Sequence, residues 1–143
     1  METISTAILA VETTGQRFVE ITRDAARFLA DVKARDGTLF LFIRHTSASL
    51  VIQENADPNV RTDLVTALDR LAPADAGWVH DTEGPDDMPA HVKSMVNGVS
   101  LAVPVADGVM MLGTWQGIYV AEHREARHRR EVVVQFAGAC EKA

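Results

Sequence analysis

Hydrophobic and polar residues alternate twice near the start of the chain, over residues 5–11 and again over residues 17–21. Alternation with a period of two is typical of a half-buried β-strand. The two stretches are separated by Thr14-Gly15, a pair that favours a tight turn. The pattern therefore predicts a β-hairpin at the start of the sheet.

The following segment repeats its hydrophobic residues at the spacing of an α-helix. Thr22 can cap this helix, its apolar positions run from Ala25 to Val32, and Asp36-Gly37 provides a stop signal. Residues 38–43 are then almost continuously apolar, which predicts a central strand buried on both faces. Such a strand would deliver His45 to one end of the sheet.

The middle of the chain predicts two more helices. Asp57-Pro58 combines a capping residue with a proline suited to the first helical turn. The helix that follows would carry its apolar side chains on one face: Val60, Leu64, Leu68 and Leu71. Residues 89–95 predict a short helix with Val92 and Met95 facing inward.

The remaining apolar stretches predict strands over residues 50–52, 99–105, 109–112, 116–121 and 131–136. A tight turn at Asp107-Gly108 would join two of them into a hairpin. Strands gathered toward both ends of the chain, with helices between them, favour an α+β fold over a regular βαβ repeat. We expect one domain over residues 1–143, built of mixed or antiparallel β-sheets with packed helices.

Composition narrows the class of protein. The chain has 143 residues, 47% of them hydrophobic, which suits one compact domain with a real core. A formal net charge of -6 argues against a nucleic-acid partner, because phosphate backbones require concentrated positive charge. No apolar run approaches the length of a membrane span, and the lone Cys140 is compatible with a reducing compartment. We expect a cytoplasmic protein that binds neither nucleic acid nor a membrane.

The richest chemistry lies in residues 80–91, which hold two histidines and four carboxylates. One glycine and two prolines make this segment a stiff loop over at least part of its length. Such a loop suits a divalent metal, a phosphate-bound magnesium ion or a proton in transit. The alternative is a solvated acidic loop whose histidines cap neighbouring elements.

Residues 123–130 form a basic cluster in an otherwise acidic protein. Strand-like sequence flanks the cluster, so it would form the tip of a hairpin or a junction between strands. Either it is a solvated turn, or one or two of its arginines recognise phosphate.

Several short motifs follow one another along the chain: His45-Thr46-Ser47-Ala48, Glu54-Asn55-Ala56-Asp57, His80, Asp87-Met88-Pro89-Ala90-His91, Gly113-Thr114-Trp115-Gln116, and Glu122 with Arg127. Together these motifs resemble those of the YjbQ family, whose members are labelled secondary thiamine-phosphate synthases. The resemblance covers nearly the whole sequence. It implies an α+β fold with mixed sheets, a homotrimer and a pocket lined by histidines and acids.

The resemblance places the family's histidines on His45, His80 and His91. Three imidazoles that converge in space would suit a catalytic divalent metal, zinc or magnesium, with an open position. The alternative for His45 is a strand-end histidine bonded to the hydroxyl of Thr46 or Ser47. With Glu54 as a group that orients ligands or accepts a proton, these three histidines form the predicted catalytic set. The alternative for Glu54 is pairing with an arginine such as Arg44 or Arg127.

Other motif residues are candidates for substrate binding. Thr46 and Ser47 could bind phosphate or satisfy their own turn. Trp115 and Gln116 could form a flat wall for a heterocycle or belong to the core. Glu122 would act on a ligand or pair with an arginine such as Arg44 or Arg127.

Arg127 completes the predicted substrate-binding set and could meet phosphate, as could Arg44. The turn before it departs from the family pattern, since Arg124-Glu125-Ala126 stands where glycine or proline is common.

The activity implied by the resemblance joins a pyrimidine methyl diphosphate to a thiazole phosphate and releases pyrophosphate. Glu83, Asp86 and Asp87 could hold magnesium for the departing pyrophosphate. Two alternatives remain open: metal-dependent hydrolysis of a small phosphorylated metabolite, and non-catalytic binding of a metal or phosphorylated ligand.

Overall fold

The computed structural model describes residues 2–141, and within them the chain forms eight strands and three helices. Every pairing among these strands is antiparallel. The elements are β1 (Glu2–Thr14), β2 (Arg17–Glu20), α1 (Thr22–Asp31), β3 (Ala34–Ile43), β4 (Ala48–Glu54), α2 (Pro58–Leu71), α3 (Asp87–Asn97), β5 (Ser100–Ala106), β6 (Val109–Met110), β7 (Gln116–Glu122) and β8 (Arg127–Cys140).

The strands of residues 2–141 form a five-stranded sheet, in the order β1-β8-β3-β5-β6, and a three-stranded sheet, in the order β2-β7-β4. One cluster of buried side chains combines residues of both sheets, including Leu41 and Val134 from the larger and Leu50 and Val120 from the smaller. The core therefore lies between the sheets, and the predicted α+β class is confirmed.

The predicted hairpin at the start of the chain is wrong, although both of its strands exist. β1 pairs with β8 in the larger sheet, whereas β2 pairs with β7 in the smaller one. Gly15 adopts φ +82°, a conformation that suits glycine, where the chain passes between the two sheets. Alternation identified the strands, but it carries no information about their partners.

The larger sheet also corrects the prediction that residues 38–43 are buried on both faces. Leu39 and Leu41 face the core, but Phe40 and Phe42 on the other face are 44% and 49% exposed. Ile4 and Ile8 of β1 are exposed on the same outer face of the sheet. The apolar run is thus an ordinary alternating strand whose outward positions also happen to be aromatic.

The helices differ from expectation at their ends and faces. α1 ends at Asp31, and Asp36-Gly37 lies inside β3 at a register shift. α2 begins as predicted, with the Asp57 side chain accepting from the Asn59 backbone N–H, but none of its residues is fully buried. The inward face of α3 carries Lys93 and Ser94, while Met95 is exposed, contrary to prediction.

The turn at Asp107-Gly108 is confirmed, because it joins β5 to β6 with both residues at positive φ. No helix within residues 2–141 has both the length and the apolar character needed to cross a bilayer.

Candidate functional site

Three segments meet at one end of the smaller sheet. β4 begins at Ala48, so the residues before it, His45 to Ser47, lie at this end, next to the last residue of β7, Glu122. α3 packs on β4, and its first turn carries Asp87 and, four residues later, His91. The loop before α3 adds His80 to the same place.

His80, Asp87 and His91 form a compact cluster whose ligand atoms all lie within 4.8 Å of one another. Oδ2 of Asp87 lies 2.7 Å from Nε2 of His80 and 3.2 Å from Nε2 of His91. The i,i+4 spacing of Asp87 and His91 puts both on one helix face. Two imidazoles and a carboxylate are a common ligand set for a transition metal.

The hydrogen bonds of His91 define the chemistry of this cluster. Its Nδ1 lies 2.8 Å from the Thr46 carbonyl oxygen, which can only accept, so Nδ1 carries a proton. In a neutral ring Nε2 is then a lone pair, and it points at an ionised carboxylate oxygen. A cation, either a proton or a metal ion, must lie there to remove the repulsion. A histidine that donates its other N–H to a backbone carbonyl is the usual arrangement around a protein-bound metal.

Arg124 fixes the carboxylate from the other side. Its Nη1 donates to Oδ1 of Asp87 at 2.7 Å and its Nε donates to Oδ2 of Asp86 at 3.0 Å. Its Nη2 donates to the Glu83 carbonyl oxygen at 2.9 Å. The guanidinium therefore ties the acidic loop to the end of β7 and leaves Oδ2 of Asp87 to the histidines.

These contacts keep Asp87 ionised. Burial alone would raise the pKa of the Asp87 carboxyl, but the hydrogen bond with His80 and the charges of His91 and Arg124 outweigh it, so the pKa lies below its ordinary value. Burial also opposes ionisation of Asp86, whose pKa is nevertheless lowered by the Glu125 backbone N–H and by Arg124. Asp86 is thus committed to holding the loop, and Glu83 contributes a backbone carbonyl to the same clamp.

Behind the cluster lies a buried ion pair between Glu122 and Arg130. Nη2 of Arg130 is 2.5 Å from Oε2 of Glu122, and it also donates to the carbonyl and hydroxyl oxygens of Ser47. Burial would raise the pKa of Glu122, but bonds from Arg130 and Thr13 lower it. The sequence suggested Arg44 or Arg127 as the partner of Glu122, but the partner is Arg130. Both of those arginines are exposed.

The structure does not place His45 with the other two histidines. Its Nε2 accepts from the Glu131 backbone N–H at 2.8 Å, and its Nδ1 faces Arg130. Asp87 takes the third position in the predicted three-histidine cluster. His45 still lines an open groove of about 340 Å³ together with Thr46 and His91, so it borders the cluster without joining it.

The other predicted residues divide between two places. Thr46 contacts His91 through its carbonyl, and Ser47 is buried against Arg130. Glu54, Trp115 and Gln116 lie at the opposite end of the β4–β7 ladder, where Glu54 pairs with Gln116. The two ends are six residue steps apart along the strand, or about 20 Å at the usual rise of a strand.

Glu54 at that far end performs a local structural role, because its carboxylate accepts from the Asp57 backbone N–H ahead of α2. Trp115 is 63% exposed, so it is not a core residue. The predicted wall for a heterocycle is therefore separate from the histidine cluster within one chain.

Sequence reasoning missed Arg124 and Arg130 and gave Asp87 only a magnesium role. A signal was present, because the basic cluster at 123–130 is opposite in charge to the acidic loop at 80–91. The cluster spans the junction between β7 and β8, as one of the two alternatives predicted.

Comparison with known proteins identifies the family. The model of the YjbQ family, described as UPF0047 protein YjbQ-like, matches residues 7–139. This chain belongs to that family. A UPF0047 protein of Synechocystis is 42% identical over 132 residues, covering 92% of this chain and 90% of its own. The UPF0047 protein YjbQ of Salmonella typhimurium is 48% identical over 102 residues, covering 71% of this chain and 74% of its own.

Solved structures agree on the fold. A YjbQ/UPF0047 family protein of Clostridium acetobutylicum, described as uncharacterized, superimposes with a TM-score of 0.84 at 32% identity, covering 91% of this chain and 98% of its own. A protein of unknown function from Sulfolobus solfataricus reaches a TM-score of 0.90 at 22% identity, covering 97% of this chain and all of its own. These likenesses establish family and fold, and they assign no reaction.

Proposed function

We propose that this chain is an enzyme that binds a divalent metal through His80, Asp87 and His91 and acts on a small phosphorylated substrate. The observation that carries the proposal is the convergence of two imidazole nitrogens, Nε2 of His80 at 2.7 Å and Nε2 of His91 at 3.2 Å, on Oδ2 of Asp87. Imidazole ligands favour zinc over magnesium. Of the two other acids that the sequence offered as magnesium ligands, Asp86 has its carboxylate engaged by Arg124, whereas Glu83 contributes only its backbone carbonyl to the same clamp.

Each surrounding residue has a defined task in this proposal. The Thr46 carbonyl holds the His91 tautomer, and Arg124 keeps Asp87 ionised and correctly turned. A bound metal would supply Lewis acidity toward a phosphoryl oxygen and a water of lowered pKa. The groove beside His91 gives the rest of the substrate a place next to the cluster, and its walls include Met95 and Val99.

Two reactions fit this proposal. The resemblance implies thiamine-phosphate synthesis, in which pyrophosphate leaves a pyrimidine methyl carbon and its developing charge must be neutralised. Metal-assisted hydrolysis of a phosphorylated metabolite is the second candidate, favoured by a cluster of only three protein ligands, which leaves positions open for water and substrate.

The first experiment measures zinc binding to metal-free protein by calorimetry, beside Asp87→Asn and His91→Ala. We expect binding at one site per chain with release of protons, because the metal replaces the proton between His91 and Asp87. His128→Ala is the matched control, since His128 lies outside the cluster and its ring bonds to the Ala126 carbonyl. Equal zinc affinity in all four proteins would reject the metal site.

The second experiment supplies the pyrimidine diphosphate and thiazole phosphate to zinc- or magnesium-loaded protein and follows thiamine phosphate and free phosphate separately. Thiamine phosphate that disappears in His91→Ala supports the synthase. Phosphate released from either substrate alone supports the hydrolase. Saturable ligand binding without product would reject the enzymatic part of the proposal and leave a binding protein.

We also propose that the chain assembles as a homotrimer in the cytoplasm, as the resemblance implies. The exposed outer face of the larger sheet supports self-association, because exposed apolar patches usually mark interfaces. That face carries Ile4, Ile8, Phe40 and Phe42. Sedimentation should give three times the 15.6 kDa chain mass, and Phe42→Glu should yield monomer. A wild-type monomer would reject the trimer.

A further inference from the structure

Two hydrogen-bond donors face each other between Arg130 and His45. The Glu131 backbone N–H can only donate, so Nε2 of His45 must be its acceptor, at 2.8 Å. A neutral ring with an accepting Nε2 carries its proton on Nδ1. That Nδ1–H lies 3.4 Å from Nη1 of Arg130, which is itself a donor. The contact is therefore not a hydrogen bond, and no tautomer of neutral His45 makes it one.

Arg130 shows the same missing acceptor from the other side of this contact. The residue is 3% exposed, and its Nε and Nη2 are fully engaged by Glu122 and Ser47. Among the described residues, Nη1 has only the His45 contact. Buried arginine donors normally find acceptors, so a buried Nη1 that faces another donor calls for an acceptor oxygen that both donors can reach.

The geometry points to an oxyanion subsite: we propose that Nη1 of Arg130 and Nδ1–H of His45 together bind a phosphoryl oxygen of the substrate. Two donors 3.4 Å apart can both reach one oxygen at about 2.8 Å from each, which is the usual length of a charge-assisted bond. His45 lines the groove that also contains His91, so this oxygen would lie beside the metal cluster.

The subsite rests on the proposed function, because charge balance ties it to the metal. Arg130 is neutralised by Glu122, and Arg124 faces both Asp86 and Asp87. A bound divalent cation would turn this region from net negative to net positive. Phosphate should therefore bind more tightly to metal-loaded protein than to metal-free protein. Lowering of the His45 pKa, by burial and then by the Arg130 charge, keeps the ring neutral as the subsite requires.

The test titrates inorganic phosphate into zinc-loaded protein, with affinity measured by calorimetry and the His45 ring observed by nitrogen NMR. We expect the His45 signals to shift while those of His123, which is buried against Ser49, stay fixed. His45→Ala should weaken phosphate binding by about tenfold, the usual worth of a hydrogen bond to a charged group. His45→Asn should restore most of the affinity, because its amide can place an N–H near the position of Nδ1.

Three comparisons separate the possible failures. Zinc affinity should be the same in wild type and His45→Ala, since His45 is not a ligand, whereas absent zinc binding in wild type would reject the proposed function itself. Arg129→Ala removes an exposed charge from the same strand and should leave phosphate affinity unchanged. Arg130→Lys, which loses the second donor of the fork, should weaken it. Normal zinc binding with equal phosphate affinity in wild type and His45→Ala would overturn the subsite. Water would then be the acceptor for the two donors.

Discussion

The two ends of the β4–β7 ladder hold similar residues that differ in their hydrogen bonding. The near end, at Ala48 and Glu122, adjoins the histidine cluster, and the far end lies at Glu54 and Gln116. At the far end, donors meet acceptors throughout: Glu54 accepts from the Asp57 N–H, Gln116 accepts from the Gly113 N–H, and Arg61 donates to the Tyr119 hydroxyl. At the near end, Nε2 of His91 faces the Asp87 carboxylate across a position that requires a cation, and a donor of Arg130 faces the Nδ1–H of His45.

The difference indicates which end of the ladder is suited to bind a ligand. Polar groups that satisfy one another add stability and specify the fold, so they need no ligand. Buried groups of matching polarity that face each other cost free energy until a cation or an anion separates them. The near end has one pair of each kind, and together they suit a metal ion and a phosphoryl oxygen.

The strongest way to break this comparison is to remove the shared carboxylate. Asp87→Ala deletes the group that contacts both His80 and His91, so zinc affinity should fall roughly a thousandfold, more than the 10- to 100-fold typical of a lost outer partner. Calorimetry on metal-free protein gives the value. A loss of less than tenfold would mean that the metal, if bound, lies elsewhere.

Lowering the pH should destabilise the fold through the near end of the ladder, which holds His123 next to Glu122. Burial, aided by the charges of Lys93 and Arg130, lowers the pKa of His123 from 6.5 to about 4. Between these two pH values, His123 therefore binds a proton in the unfolded chain but not in the folded chain. Stability should fall by about 3 kcal/mol as the pH drops from 6.5 to about 4. Tyr119 at the far end has a raised pKa and titrates only in alkali.

Denaturant unfolding at several pH values measures this slope. His123→Gln can keep a bond to Ser49 without a titrating ring, so its stability should vary less between pH 6.5 and 4. The lowered carboxyl pKa values of Asp87 and Glu122 add further losses as the pH falls through their ordinary values of 3.8 and 4.5 and below, so the Glu122 loss begins within the acid end of this range. His128→Gln should keep the wild-type slope. An unchanged slope in His123→Gln would show that other groups cause the acid sensitivity.

Removing the clamp that Arg124 forms on Asp87 should have a smaller effect on zinc affinity than removing Asp87 itself. Arg124→Met keeps most of the side-chain length but loses the bonds to Asp86, Asp87 and the Glu83 carbonyl. Zinc affinity should fall by about 10- to 100-fold, as for other partners that orient a ligand. Arg127→Met, an exposed position on β8, is the matched control. Equal affinities in the two variants would mean that the loop holds Asp87 without help.

The sequence predicted strands and helices well because their periods are local, and it predicted pairing poorly because pairing is not. Residues 5–11 and 17–20 lie in strands, yet each strand pairs with a partner about a hundred or more residues away. The same limit applies to the site. His80 and His91 were predicted from one loop, but the orientation of Asp87 depends on Arg124, which only the folded chain brings into contact.

The smallest expected effect belongs to the far end. Trp115→Ala removes an exposed ring about 20 Å from the histidine cluster, so zinc and phosphate affinities should both stay within about twofold of wild type. The same calorimetric titrations measure both. Phe18→Ala would be a poor control because this ring packs against Tyr119, whereas Val109→Ala removes an exposed apolar side chain on a different strand. A large loss of phosphate affinity in Trp115→Ala alone would mean that both ends of the ladder contribute to one binding site. Since one chain keeps them apart, that result would require Trp115 of one copy to reach the histidine cluster of another.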